Sequence, residues 1–243
     1  MNRKILMSYR GTAYSGFQRQ KNAVGVQNVI EDALFSMTGE HIGINGVSRT
    51  DTGVHADEYC FSFESDSAIP DKNFVTGLNS LLPLDMAVFS CETVSPDFHA
   101  RYSCKAKEYV YLIRNERIRN PFDYDISLLY GLPIDETALD KELQSLLGTH
   151  DFASFCGSKG LRDNTVRTIM NISLTRNENF VKLLVKGDGF LYNMVRIITG
   201  TLLEINEGKK SFGSMPAILA ACDRNAAGRT APPEGLHLHK IYY

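Results

Sequence analysis

The chain has 243 residues, which is enough for one large domain or two smaller ones. Hydrophobic residues make up 43% and charged residues 22%, as in soluble globular proteins, and the net charge of −2 does not by itself indicate a nucleic-acid partner. No apolar run is long enough to span a membrane, and the N-terminus lacks the apolar core of a signal peptide, so we expect a cytoplasmic protein.

Alternating strands and helices are predicted for the first hundred residues. A helix over about 26–38 has apolar residues at helical spacing and a glycine to end it, and a second helix from Asp71 has that residue as its candidate N-cap. The segment "EYCFSFES" alternates like a strand, with Tyr59, Phe61 and Phe63 on one side. Strands are also predicted at "RKILMSY" and "MAVFSCETV".

The second half repeats this order. We predict a strand at "KEYVYLIRN", a helix over 135–147, a hairpin of "VRTIMNISLTR" and "FVKLLVKGD", helices over about 190–205 and 214–222, and a final strand "GLHLHKIYY". The elements lack regular βαβ alternation, which indicates an α+β fold. We expect two similar subdomains, 1–100 and 101–243, that share a continuous, mainly antiparallel sheet with helices packed on it.

The five cysteines are scattered and form no C-x-x-C pair. This pattern argues against a disulfide framework and against a zinc site, so we expect free, buried or half-buried thiols and no metal. Two segments rich in Lys and Arg, 1–21 and 101–119, flank an acidic one. They could form a groove for a polyanion, but on charge alone ordinary solvated faces are the better explanation of the pattern.

The stretch "SRTDTGVHA", residues 48–56, contains the Asp-Thr-Gly of aspartic proteases. Such a protease needs two carboxylates that share a proton, whereas this chain has one copy and a polar segment before it, so a protease is a poor match. A loop in which Asp51 makes a turn with Gly53 is the simplest alternative.

Arg196 lies in "GFLYNMVRIITGTLLEI", whose other residues are almost all apolar or small. At helical spacing Tyr192, Asn193, Arg196, Thr199 and Gly200 form one stripe without Lys or Glu, which predicts a partly buried cleft. A buried arginine needs a carboxylate partner, and Asp51 is a candidate, as is some other acid in a purely structural ion pair.

Two tyrosines, Tyr109 and Tyr111, share one face of a predicted strand. Both rings can be sheet core, or one can stack on a nucleic-acid base beside basic residues. The histidines have no metal-ligand spacing, but His55 follows the Asp51 loop closely enough to hydrogen-bond there.

Eight segments in this order resemble the TruA-type tRNA pseudouridine synthases, nearly from end to end. They are "YRGTAYSGFQRQ", "SRTDTGVHA", "LNSLLPLDMAV", "FHARYSCKAKEYVYLI", "GTHDFASF", "TVRTI", "GFLYNMVRIITG" and "GLHLHKIYY". Two positions differ from the family: Ser48, where it usually has Gly, and Phe17, where Trp is common. Neither position is expected to carry the chemistry.

The resemblance implies isomerisation of uridine to pseudouridine at positions 38–40 in the anticodon arm of tRNA, by a homodimer without metal or cofactor, in a cleft between the subdomains. It implies that Asp51 is the catalytic carboxylate, Tyr109 the ring over the target base and Arg196 the partner that orients Asp51. The residues expected to contact the RNA are Tyr109, Arg49, His55, Arg101, Lys105 and Leu236. Two rivals to this interpretation are an RNA-binding module without chemistry and an aspartic protease.

Overall fold

A computed structural model describes residues 1–157 and 164–243. Within them the α+β prediction is confirmed, with mostly antiparallel strands and five α-helices. The strands are β1 (Asn2–Tyr9), β2 (Asn45–Gly46), β3 (His55–Glu64), β4 (Met86–Thr93), β5 (Ala106–Arg114), β6 (Leu128–Leu129), β7 (Gly148–Asp151), β8 (Val166–Asn177), β9 (Phe180–Gly187) and β10 (Leu236–Tyr242). The helices are α1 (Val26–Thr38), α2 (Asp71–Leu81), α3 (Glu136–Gln144), α4 (Met194–Asn206) and α5 (Met215–Ala220).

The chain divides into two compact units. Unit 1 comprises Met1–Lys105 with Leu238–Tyr243, and unit 2 comprises Ala106–His237. The division lies near the expected boundary at residue 100, but the last strand returns the chain to unit 1. No helix in the described residues is long and apolar enough to cross a membrane.

Unit 1 is built around strand β3. This strand pairs antiparallel with β1, with Ile5 opposite Phe61, and β1 pairs antiparallel with β4. Tyr59, Phe61 and Phe63, predicted to lie on one side of this strand, are buried, but Cys60 and Ser62 between them are buried too. Side chains on alternate faces of a strand are both shielded only if both faces are covered, so neither face of β3 is open to solvent over these residues.

Helix α1 has the predicted bounds, and Gly39 ends it with a φ of 76°, a conformation that glycine adopts without steric cost. The prediction that Asp71 caps α2 was wrong. Pro70 is the N-cap, and the Asp71 carboxylate instead accepts hydrogen bonds from Arg3 and Thr93. The Asp71 carboxylate therefore pairs with Arg3, a residue distant in sequence, and does not cap the helix.

Unit 2 contains the strand order β5, β9, β8, β7, with neighbouring strands antiparallel and β6 parallel to β5. The predicted β8–β9 hairpin is confirmed, with Glu178 at its turn at a φ of 51°. Asp135 caps α3 as its position predicted, but that helix ends at Gln144, because the chain turns there and enters β7 at Gly148. All five cysteines are free, although Cys222 is exposed rather than buried.

Candidate active site

Asp51 opens a tight turn between β2 and β3. The backbone N–H of Val54 donates to the Asp51 carbonyl oxygen at 3.1 Å, and Gly53 has a φ of 79°. A type II turn requires positive φ at its third residue, which glycine supplies. Asp51 itself is half-buried. The Asp-Thr-Gly is thus a turn motif, and the turn leaves the carboxylate partly accessible.

Residues 9–20, "YRGTAYSGFQRQ", which we call the opening segment, hold the base of this turn at Thr50. The Phe17 N–H donates to the Thr50 carbonyl oxygen at 3.1 Å, and the hydroxyls of Tyr9 and Thr50 share a hydrogen bond of 2.8 Å. Gly16 has a φ of 83°, and a Cβ there would lie 2.7 Å from the Thr50 oxygen. The backbone of the opening segment can approach the Asp51 turn only because residue 16 has no side chain.

Aromatic packing fixes the other side of the same loop. The Tyr59 hydroxyl donates to the Ser48 carbonyl oxygen, and the Phe17 ring stacks on Tyr59 with centroids 4.5 Å apart. A side chain at Gly46 would collide with both rings. Phe17 is buried, so the position where the family commonly has Trp is a packing contact in this chain.

The remaining predicted site residues of unit 1 differ in exposure. Arg49, Arg101 and Lys105 are exposed, as phosphate-binding groups must be. His55 is only 2% exposed, and its Nδ1 accepts the Gly11 N–H at 3.1 Å. This burial favours a role in holding the opening segment over direct contact with RNA.

Tyr109 and Tyr111 have different surroundings in unit 2. Tyr109 lies opposite Val185 of β9, is 7% exposed, and meets the Phe190 ring edge-on at 4.9 Å. Tyr111 is fully buried, its hydroxyl donates to the Pro232 carbonyl oxygen at 2.7 Å, and burial raises its pKa well above the ordinary value. Tyr111 is therefore a core residue, which leaves Tyr109 as the tyrosine of this strand with a candidate functional role.

Arg196 is half-buried, and two of its hydrogen bonds go to neutral acceptors within unit 2. Its Nε donates to the Ala231 carbonyl oxygen at 2.8 Å and its Nη1 to Asn193 Oδ1 at 2.9 Å. Helix α4 begins at Met194, not near residue 190 as predicted, because Asn193 has a left-handed φ of 61°. The break places the Asn193 side chain where it orients the guanidinium.

The predicted polar stripe on α4 is only partly a cleft, and this corrects the sequence interpretation. Thr199 is fully buried, and the segment 228–231 passes over Gly200 so closely that a side chain there would collide with the Arg229 backbone. The Gly228 N–H donates to Thr201 Oγ1 at 2.8 Å. This face of α4 lacks Lys and Glu because the segment 228–231 covers part of it, not because all of it lines a cleft.

Unit 2 holds one more predicted site residue and an open cavity. Leu236, predicted to contact the substrate, is buried at the start of β10. An open cavity of about 680 Å³ lies beside Asn193. It is lined by Gly157, Tyr192, Asn193, Arg224, Asn225, Ala227, Gly228, Arg229 and Thr230. Asn193 belongs to the stripe that predicted a cleft, whereas the 224–230 segment was not predicted as part of a site, because no local motif marks it.

Not all residues of the two basic segments can bind phosphate. Arg3 is 1% exposed and pairs with Asp71 at 3.1 Å, and Arg114 pairs with Glu116 and Asp123. Lys4 and Arg19 also have carboxylate partners, Glu92 and Glu31. Fewer basic residues are thus available to bind a polyanion than the two segments contain. An arginine whose charge is already paired with a buried carboxylate cannot also bind a ligand.

Comparison with known proteins identifies the family. The family model described as tRNA pseudouridine synthase matches residues 5–103 and 143–243. Proteins named tRNA pseudouridine synthase A from Thermoanaerobacter sp. and Acetivibrio thermocellus are each 43% identical to this chain, over 100% of it and 99% of their own length. One from Brevibacillus brevis is 40% identical over 99% of the chain and 98% of its length. The chain belongs to the tRNA pseudouridine synthase family and is an isomerase that acts on tRNA.

Proposed function

We propose that this enzyme converts uridine to pseudouridine at positions 38–40 in the anticodon stem-loop of tRNA, with Asp51 as the catalytic carboxylate and no cofactor. One observation carries the assignment of Asp51. Its carboxylate is half-buried on a tight turn whose base is tied to the opening segment through Thr50. Such preorganisation is what a group that reacts with substrate requires.

The reaction suits a single carboxylate. It breaks the bond between C1′ and N1, turns the uracil, joins C1′ to C5 and removes the C5 proton, so no redox change occurs. Asp51 either attacks C1′ as a nucleophile or removes the 2′ proton to give a glycal. Both routes need the ionised form, which a nearby guanidinium favours. We assign that role to Arg196.

The Tyr109 ring is assigned to stack on the target base, and its hydroxyl to assist removal of the C5 proton. A base inside a helix cannot reach a carboxylate, so the uridine must be flipped out of its stack. Leu236 is assigned an apolar contact with the flipped base. His55 supports the site from beneath, through its hydrogen bond with Gly11.

Arg49, Arg101 and Lys105 are assigned to the phosphates of the tRNA. Each is exposed, and within the part of the chain that the structure describes none has a carboxylate partner. Their charges are therefore available for RNA, which is bound largely by shape and charge. The enzyme would act in the cytoplasm, where unmodified tRNA is present.

We also propose that two copies form a homodimer through unit 2. The segment after β5 exposes several large apolar side chains close together in sequence. They are Ile118, Phe122, Tyr124, Leu129 and Leu132, which are 42–89% exposed. An apolar group of this size is costly to leave in water and typical of an interface between subunits.

The function is tested by Asp51→Asn, which keeps the shape of the side chain and removes its charge. We expect pseudouridine formation to fall by several orders of magnitude, because an amide cannot replace a carboxylate nucleophile or base. Binding of tRNA should remain, since the phosphate contacts lie on other residues. The matched control is Asp57→Asn, an exposed carboxylate on β3 that pairs with His239 and should retain full activity.

The readout is pseudouridine mapped by position in unmodified tRNA after single turnover. A folded Asp51→Asn protein with a tenth or more of wild-type turnover would refute the role of Asp51. Wild-type protein that binds tRNA but leaves positions 38–40 unchanged would refute the proposed target. Wild-type protein that modifies no uridine at all would favour a binding module without chemistry.

A further inference from the structure

An exposed aromatic cluster lies at residues 99–102 of unit 1, in the segment that follows β4. Tyr102 is 78% exposed, which is unusual for so large a ring. The His99 ring lies against it at 4.3 Å with a tilt of 37°, and Arg101 Cζ is 5.9 Å from the Tyr102 ring centroid. We call His99, Arg101 and Tyr102 the aromatic platform.

The turn that carries the platform is held rigidly. The Ser103 N–H donates to the His99 carbonyl oxygen at 2.9 Å, and the His99 N–H donates to Ser103 Oγ at 3.1 Å. Both backbone polar groups of Ala100 are hydrogen-bonded: its N–H donates to Ser62 Oγ at 3.1 Å, and its carbonyl oxygen accepts from the Tyr243 hydroxyl at 2.9 Å. An ordinary solvent loop does not need so many anchors, and a rigid binding surface loses little entropy when a ligand arrives.

The hydrogen bonds of His99 determine which ring nitrogen faces a ligand. Nδ1 accepts the backbone N–H groups of Arg101 at 3.1 Å and Tyr102 at 3.4 Å. A neutral imidazole with Nδ1 as acceptor carries its proton on Nε2. Across residues 1–157 and 164–243 no group accepts a hydrogen bond from that Nε2, so it is a donor available to a ligand.

Arg101 adds an uncompensated positive charge. Its side chain is exposed, and no carboxylate in the described chain pairs with it. The platform therefore combines a largely exposed aromatic ring, an N–H donor and a cation on one short turn. An aromatic face binds any nucleic-acid base, and the adjacent donors match a phosphate.

We propose that the aromatic platform binds an unpaired nucleotide of the tRNA, other than the target uridine. The base stacks on the Tyr102 ring, and Arg101 and His99 Nε2 hydrogen-bond to the adjoining phosphate. A paired base presents only its edges to a protein, so an exposed ring selects a nucleotide in a loop or bulge. The proposal rests on the proposed function, because it takes tRNA as the substrate.

The test is the affinity for unmodified tRNA of wild type, Tyr102→Ala and Tyr102→Phe, measured over a range of salt. Phe89→Ala is the matched control, since Phe89 is a half-exposed aromatic of unit 1 outside the platform. Loss of one base stack should weaken binding about 5- to 150-fold in Tyr102→Ala and leave Tyr102→Phe and Phe89→Ala near wild type. The salt dependence of Tyr102→Ala should be unchanged, whereas Arg101→Ala should reduce its slope by about one.

A second RNA, a fully paired duplex of the same length, separates stacking from general affinity. Tyr102→Ala should bind this duplex as wild type does. Equal affinities of Tyr102→Ala and Phe89→Ala for tRNA would overturn the proposal, and so would an equal loss on tRNA and duplex. Pseudouridine mapping with wild type is run in parallel: activity on tRNA with no effect of Tyr102→Ala refutes only the platform, while no modification by wild type refutes the proposed function and the platform with it.

Discussion

Tyr109 and Tyr111 show how differently two residues of one type can be used on the same strand face. The Tyr111 hydroxyl is bound to Pro232 in the core, whereas Tyr109 packs edge-on against Phe190 and is assigned to the target base. Their spacing in the sequence predicted that they share a strand face. Their different roles follow only from the different contacts that each ring makes in the folded chain.

Replacing Tyr109 by Phe should keep tRNA binding and abolish most turnover. Phe retains the stacking face and loses only the hydroxyl that we assign to the C5 proton. The measurement is single-turnover pseudouridine formation beside tRNA affinity. Tyr111→Phe is the control: it should lose about 0.5–1.5 kcal/mol of stability with its hydrogen bond to Pro232 and stay active. Unchanged turnover in Tyr109→Phe would show that the hydroxyl has no catalytic role and that Tyr109 acts only by stacking on the base.

At the scale of elements, the opening segment and the Asp51 turn form one positioning unit. Gly16 and Gly39 both have positive φ, 83° and 76°, but only Gly16 lies against another segment. A side chain at Gly39 would have nothing within 4 Å, whereas one at Gly16 would meet the Thr50 carbonyl oxygen. Substituting each glycine in turn therefore distinguishes the loss of stability caused by a strained backbone from a displacement of the Asp51 turn.

Gly16→Ala and Gly39→Ala should each lose about 1–2 kcal/mol of unfolding free energy, because both force a left-handed backbone on alanine. Only Gly16→Ala should also displace the Asp51 turn and lower turnover by at least tenfold, since small misplacements of catalytic groups are costly. Urea unfolding and single-turnover rates are the measurements. Equal activity of the two variants would show that the opening segment does not position Asp51.

The end of α4 is joined to the segment 228–231 by an ion pair. Arg229 donates to Glu207 at 2.7 and 3.0 Å, and Lys209 adds a contact at 2.6 Å. Hydrogen bonds from Arg229 lower the pKa of Glu207 to about 2, from 4.5. The ionised Glu207 carboxylate therefore stabilises the fold through its ion pairs. This stabilisation is fully present above about pH 4.5 and is lost as the pH falls towards 2 and the carboxylate is protonated.

Glu207→Gln should therefore destabilise the protein by on the order of 1–2 kcal/mol at pH 7, a value reduced for the solvent exposure of Arg229. The difference from wild type should narrow as the pH is lowered from 4.5 towards 2. Urea unfolding at several pH values measures this. A difference that is constant with pH would mean that packing, not charge, accounts for the loss.

At the scale of the whole molecule, the proposed dimer depends on the exposed apolar segment after β5. Phe122 is 89% exposed, and Phe122→Glu would place a charge in the proposed interface. We expect wild type to sediment as a dimer at micromolar concentration and Phe122→Glu as a monomer with reduced activity on tRNA. Leu84→Glu, which alters a fully exposed side chain of unit 1, should remain dimeric. A monomeric wild type would refute the dimer.

The sequence by itself determined the fold class, most elements and the family. Apolar periodicity is a local property, and for α1, the β8–β9 hairpin and the Asp135 cap nothing distant opposes it. The Asp51 turn could likewise be predicted, because Asp and Gly favour turns wherever they occur.

Tertiary structure alone decided which partners each polar group has. Asp71 binds Arg3 instead of capping its helix, the α4 stripe is covered by 228–231, and a turn after β4 becomes a rigid aromatic platform. In each case the deciding contact joins residues far apart in sequence. Such contacts depend on packing and desolvation in the folded chain, which neither composition nor periodicity encodes.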